Sequence, residues 1–432
     1  VDDLHPYIYR THDGGKTWQS ITTGIPDDEP VNVVREDPVR RGLLYAGTEH
    51  TVYVSFDDGA HWQSLRLDLP VTSIRDLIVH DNDLVIATHG RSFWVLDDIA
   101  PLRQLDAHIA SSPAFLFKPA PAYRVRRDAN TDTPLPPEEP AGRNPPDGAV
   151  IDYWIGAGSS PHAVSLDILD ARGALVRRFS SDDVAPPPDT ELNVPTYWVK
   201  PFQWLSAESG MHRFVWDLHY PPPDALEHEY PISAILHDTP RSPLGPSVLP
   251  GRYTVRLTVG SRTLTEPLEV RMDPRVHTTA PALARQLTLA QRLTAAMHRD
   301  YTALAEVRAF RTQLSGLRRQ AADTTGGMSK TMTVVEAGLA ALAGEHRGAS
   351  TPNDDDLVRL NGDLLAAFTV IESADAEPTT QAAAVVPALE RRLDAALARW
   401  DDLKTKRVKA LNVELEHRSL RVLKLPSDTT HH

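Results

Sequence analysis

The chain has no cysteine among its 432 residues. That excludes disulfides, thiolate-bound zinc and thiol chemistry together, and leaves the redox compartment open. No run of about 18 apolar residues occurs, so no segment reads as a membrane-spanning helix. Basic residues are outnumbered, 45 Lys and Arg against 58 Asp and Glu, for a formal net charge of −13. Binding to phosphates needs clustered cations that displace counterions, so nucleic acid and anionic membrane surfaces are excluded as partners. The start at Val1 lacks the basic-then-apolar pattern of a signal peptide, and the terminal pair His431-His432 carries no site. What remains, 41% hydrophobic and 24% charged residues, is a globular composition long enough for about three domains.

One pattern occurs twice, as Thr11-His-Asp13-Gly-Gly15-Lys-Thr-Trp18 and Ser55-Phe-Asp57-Asp-Gly59-Ala-His-Trp62, with the two aspartates 44 residues apart. Forty-odd residues holding four short strands is the period of a propeller blade. Each copy lies between strand-like runs (7–10 and 19–22; 51–54 and 63–67), which makes it a hairpin turn. Aspartate can accept backbone N–H bonds across such a turn, glycine supplies positive φ, and tryptophan folds back as an apolar plug. A third unit without the motif follows, with strands over 74–80, 83–87 and 92–96.

The repeated pattern resembles the Asp box, S/T-x-D-x-G-x-x-W, of sialidase-like, sortilin-like and xyloglucanase-like propellers. The run Thr88-His-Gly-Arg-Ser-Phe-Trp-Val-Leu-Asp-Asp98 is similar to the last blade of large bacterial BNR-repeat, sortilin-like proteins that carry the name glycosyl hydrolase. The resemblance implies that residues 1–105 are the last two and a half blades of a β-propeller. A ring of roughly four to eight blades cannot close with so few. The chain is therefore expected to be the C-terminal piece of a larger secreted or periplasmic bacterial protein, with the upstream blades as its partner in the same precursor or on a separate chain.

Residues 106–148 read as a linker, with Pro119, Pro121, Pro134, Pro136, Pro137, Pro140, Pro145 and Pro146 favouring extended chain. Over 149–276, strands at 149–155, 164–169, 175–179, 210–218, 252–259 and 263–270 predict an antiparallel, immunoglobulin-like β-sandwich with two long inserted loops, 181–209 and 220–247. Residues 277–425 change texture. Leu283, Leu287, Ala290, Leu293, Met297, Tyr301, Leu304, Val307, Phe310, Leu314 and Leu317 trace the stripe of a long helix, and shorter helices follow over 330–343, 354–372 and 379–415, started in the second case by Thr351-Pro-Asn-Asp. The fold class is thus multidomain β plus α: partial propeller, sandwich and helical bundle.

Asp13 and Asp57 read as structural together with Gly15, Trp18, Gly59 and Trp62, because the turn itself needs their carboxylates. Glu49 and His50 end the second strand of the complete blade and His89 and Arg91 stand at the corresponding place in the next. Loops that recur at one blade position point to one face, so these four are the candidate pocket residues. Tyr197, Trp198 and Trp204 are candidate ligand-binding aromatics, since flat rings stack on sugars. His219, Glu227, His228, Glu229, His237 and Asp238 match no metal-ligand spacing and read as surface loop. No metal and no cofactor is implied.

Three functions fit these observations. The first is an extracellular or periplasmic binding protein for a glycan, a peptide or a sister subunit. The second, which the resembling family's name implies, is a glycoside hydrolase with paired carboxylates at a defined separation. The third is a structural subunit of an envelope assembly.

Overall fold

The structure, a computed structural model, describes residues 3–126, 142, 144–157, 163–187, 189, 192, 194–231, 237–322, 330–345 and 355–424. It consists of several β-sheets followed by a C-terminal helical region. The helix-start signal at 351–354 and the prolines at 134, 136, 137 and 140 lie outside the described residues.

Three antiparallel sheets come first. β1 (Tyr9–Arg10) pairs with β2 (Gln19–Ser20); β3 (Val31–Glu36), β4 (Leu44–Thr48), β5 (Val52–Ser55) and β6 (Gln63–Ser64) form a meander; β7 (Ile74–His80), β8 (Asp83–Thr88) and β9 (Phe93–Leu96) form another. The two inner strands of the middle sheet are buried on both faces because their apolar residues do not alternate with polar ones: every residue of β4 and β5 is buried. Side chains from alternate positions then divide by face. Leu44, Ala46 and Tyr53 pack with Ile8, Ile21 and Trp62 toward the first sheet. Val33, Tyr45, Val52 and Val54 pack with Ile74, Leu77, Leu84 and Ile86 toward the third. Gly47 sets the closeness of that second contact, since a Cβ there would lie 2.6 Å from Ile74 Cγ2 and 2.8 Å from Val33 Cγ1.

Two short helices, α1 (Ala100–Gln104) and α2 (Ala107–Ser111), lead into a pair of sheets. One has the order β10 (Ala114–Leu116), β12 (Ala149–Ile155), β15 (Gly210–Trp216); the other β11 (Ala122–Arg124), β17 (Arg262–Met272), β16 (Gly251–Val259), β13 (Val164–Leu169), β14 (Leu175–Ser180). Their inner faces share one core around Ile151, Tyr153, Leu166, Trp216, Val255 and Leu257. Residues 106–124, expected to be the first part of a linker, are instead structured. Asp106 caps α2, β10 pairs antiparallel with β12, and β11 runs parallel to β17. Pro119 and Pro121 sit between two three-residue edge strands, where a missing N–H costs no ladder bond.

The helical region holds α3 (Ala280–Ala322), α4 (Lys330–Leu342), α5 (Leu357–Ile371), α6 (Thr380–Asp402) and α7 (Lys409–His417), with a π turn at Leu403–Val408 where a single helix over 379–415 was expected. Asp356 caps α5 by accepting from the Arg359 N–H at 2.8 Å, and Thr379 caps α6. The α3 stripe is buried as the periodicity predicts, except at Tyr301, which is 43% exposed. The inward position between Met297 and Leu304 belongs instead to Asp300, fully buried. A charged residue is excluded from any apolar stripe, so the pattern chose its neighbour. Among the described residues no helix is long and apolar enough to cross a membrane.

Asp300 reaches the docking point of the 221–226 loop. Asn361 on α5 donates to Asp300 Oδ2 at 3.1 Å and to the Asp224 carbonyl at 3.2 Å, and accepts from the Leu226 N–H at 2.8 Å. Asp300 Oδ1 is buried without a hydrogen bond. Burial pushes the Asp300 carboxyl up to about 7, against the Asn361 hydrogen bond, and the Asp356 charge adds to the rise. Its stabilising contribution is thus complete below the unfolded value of 3.8 and is lost as pH rises through about 7. Asp300→Asn is expected to be more stable than the parent at pH 8, by on the order of 3 kcal/mol, and nearly equal to it at pH 4, measured by urea unfolding at both values.

Candidate functional site

The two repeated turns close in the same way. In the first, Asp13 Oδ1 accepts from the Thr17 N–H (2.9 Å) and Oδ2 from the Thr17 hydroxyl (2.8 Å), while Thr11 Oγ1 donates to Asp13 and accepts from the Gly15 N–H at 2.9 Å. In the second, Asp57 Oδ1 accepts from the His61 N–H (2.8 Å) and Oδ2 lies 2.7 Å from His61 Nδ1, while Ser55 Oγ repeats the part of Thr11. Hydrogen bonds from Thr17 hold the Asp13 carboxyl at about 2. Both carboxylates are thus occupied by their own turn.

The tryptophans differ. Trp62 is buried and its indole N–H donates to the Ile21 carbonyl at 2.7 Å, one sheet back along the chain. Gly24, at φ +100, permits this approach, because a Cβ there would stand 2.2 Å from the Trp62 carbonyl oxygen. Trp18, in the same place of the same motif, is 61% exposed.

At the other end of the sheets the turns carrying the candidate polar residues converge. The Glu49 N–H donates to the Pro30 carbonyl, the Thr72 N–H to the His50 carbonyl and the His89 N–H to the Ser73 carbonyl, so each turn is pinned to a loop that enters a sheet. Arg75 joins two of the expected residues: Nη1 lies 3.4 Å from Glu49 Oε1 and Nη2 3.0 Å from His89 Nδ1. A guanidinium can only donate, so Nδ1 accepts and the His89 ring carries its proton on Nε2. Asn32 donates to Glu49 Oε1 at 3.0 Å. The Ser73 hydroxyl and then the Asn32 amide hold Glu49 below the usual carboxylate range. His50 Nδ1 sits 3.2 Å from Oε1 of Glu29, whose Oε2 is buried without a hydrogen bond. Arg91 is not drawn in. Its backbone binds the Thr88 hydroxyl and the Trp94 indole, and its side chain is exposed.

No protein-family model and no curated protein matches the chain. Among solved structures, two crystal structures of the extracellular domain of BT4673 from B. thetaiotaomicron, one described as a one component and one as a hybrid two component system, match at 7% and 8% identity and a TM-score of 0.18. Each match covers 62% of this chain, which spans 28% of the length of those domains. A TM-score that low lies far beneath that of a shared fold.

Sequence reasoning missed Asn32 and Arg75 at this rim. Asn32 and Arg75 are each the second residue of the first strand of their sheet, and that recurrence was the available signal.

The aromatic candidates form two separate pairs. Tyr197 and Trp198 lie edge-on with centroids 6.0 Å apart, and Trp204 meets Phe202 edge-on at 5.0 Å. Trp204 and Tyr197 are largely exposed, but the edge-on geometry gives no continuous flat platform. The histidines and acids of 219–238 are dispersed: His219 Nδ1 contacts the Asp217 carbonyl, His228 the Ser242 carbonyl, and Asp238 faces Lys200. Among the described residues no group of three or more His, Asp or Glu is placed to hold a metal ion. Carboxyls raised by burial, Asp97, Asp98 and Asp152, surround Arg213 at the joint between the third sheet and β15, away from the rim turns.

The contrast between the tryptophans has a measurable consequence. Trp62→Ala is expected to cost about 3–5 kcal/mol in urea unfolding followed by circular dichroism. Trp18→Ala in this same chain is expected to stay within about 0.5 kcal/mol of the parent.

Proposed function

We propose that the chain is the C-terminal part of a secreted or periplasmic binding protein. Its first three sheets are blades of an Asp-box propeller completed by residues outside this chain, and the rim of Glu29, Asn32, Glu49, His50, Arg75 and His89 faces the ligand. In this reading the paired sheets are an immunoglobulin-like sandwich docked beside the ring. The observation that carries it is internal to the molecule: the second Asp-box tryptophan is capped by the carbonyl of the preceding sheet, and the identical first one is exposed. A preceding sheet would cover Trp18 as the first covers Trp62. At the other end of the stack, Ile78 and Val95, each paired with Val85, and Phe93 leave the outer face of the third sheet apolar and exposed. Single exposed apolar residues are ordinary, but a row across three strands marks a contact surface.

The rim supports binding better than hydrolysis. A glycosidase needs one carboxyl kept protonated as an acid, whereas Glu49 is held ionised by its hydrogen bonds. Carboxylate, amide, guanidinium and imidazole together suit the hydroxyls of a glycan or the backbone of a peptide.

Native mass spectrometry of the protein from its source is expected to find upstream blades on the same or a copurifying polypeptide. With that complete assembly on glycan and peptide arrays, Arg75→Ala and Glu49→Gln should each weaken the strongest signal about tenfold with an unchanged melting temperature. A complete ring whose binding ignores both substitutions would remove the rim from the reading.

A further inference from the structure

A cavity of about 570 Å³ lies where α4, Asp355 and the bend from α6 to α7 face one another. Its floor is apolar, from Gly338, Leu342 and Leu403 with the half-exposed Val334 at its edge, and its mouth carries Arg399, Arg407, Asp355 and Asp402. The opening has a backbone cause. The π turn at Leu403–Val408 is a wider coil than the helices it joins, a geometry that is rare and concentrated at functional places. It brings Leu403 so close to Gly338 that an added Cβ would stand 2.9 Å from Leu403 Cδ1. Beside that contact the small, exposed side chains of Ala341 and Ala398 leave space unfilled.

The mouth favours an anion. Asp355 is matched from outside the cavity by Arg392, whose Nε and Nη2 donate at 2.9 and 2.6 Å, and Asp402 is matched by Lys406. The Arg392 hydrogen bond keeps Asp355 ionised and so keeps that pairing intact. Arg407 stands exposed on the π turn and makes no ion pair among the described residues. Arg399 donates to the Asp355 carbonyl on the same side. A guanidinium above an apolar floor recognises a carboxylate carried on a hydrocarbon body.

From this geometry we infer that the cavity is a binding site for a small amphipathic organic anion, with its hydrocarbon against Val334, Leu342 and Leu403 and its carboxylate at Arg407. The site is independent of the rim and of the ring. Decanoate is the probe and decylamine, its charge-reversed analogue, the control, both titrated into the whole chain by calorimetry. Decanoate is expected to saturate one site per chain and to raise the melting temperature with dose, and decylamine to do neither. Arg407→Ala should weaken decanoate about tenfold or more. Ala341→Trp, which fills the exposed wall without entering the core, should abolish binding while the ligand-free melting temperature holds. The inference falls if decylamine binds as well as decanoate, if both variants bind like the parent, or if millimolar decanoate gives neither heat nor a melting shift.

Discussion

The exit from the third sheet is held by one desolvated guanidinium. Arg103, on α1, holds the fully buried Asp37 carboxylate with Nε at 2.9 Å, the Asn82 amide oxygen with Nη1 and the Asp81 carbonyl with Nη2. It therefore fixes the second sheet, the β7–β8 turn and the helix that leads out of them. Two more arginines repeat the device. Arg213 on β15 grips Asp152 and the Asp97 and Asp98 carbonyls, and Arg124 on β11 grips the Val248 carbonyl and Asp375 beyond α5. Removing one member of such a buried pair strands the other charge, at a typical cost of about 3–5 kcal/mol. The multi-donor fork is what lets a single side chain join segments remote in sequence, which an ammonium could not do with the same geometry.

How much of this was legible in the chain varies with the physics. The two repeated turns were readable because their chemistry is local: hydroxyl, carboxylate and glycine close the loop within eight residues. The long strands of the paired sheets and the helices were readable because burial of a face imposes a period. β10 and β11 were not, since three residues show no alternation and the prolines around them resemble linker. The rim was half legible. Glu49 and His89 were found from their recurring loop position, while Arg75, which brings them together, looks in sequence like any exposed strand residue. Asp300 and the π turn left no trace in the hydrophobic pattern, because one is a polar residue in an apolar slot and the other changes the pitch without changing composition.

Two kinds of carboxylate emerge, and their surroundings divide their roles. Those of the turns and the rim are lowered by hydrogen bonds donated to them, as with Asp13 and Glu49, and stay charged where water reaches them. Asp152 and Asp300, which sit where segments meet, are instead raised by burial. Burial works against the charge and a donated bond works for it, so the local count of donors decides which way each group moves.

The 43-residue helix α3 passes through the molecule as a single rod of about 65 Å. Its near end is tied to the turn that follows α5 through Thr278, just ahead of it, which bonds the Asp375 carbonyl, and Gln286, which bonds the Ile371 and Ala374 carbonyls, and that turn meets β11 through the Asp375–Arg124 pair. Its far portion holds the chain's last described residues through Gln313 and Lys424. A tilt of about 5° at its near end would carry the other end by roughly 5 Å over that length, so the packing of α4, α5 and α6 along α3 sets where the far end of the helices lies.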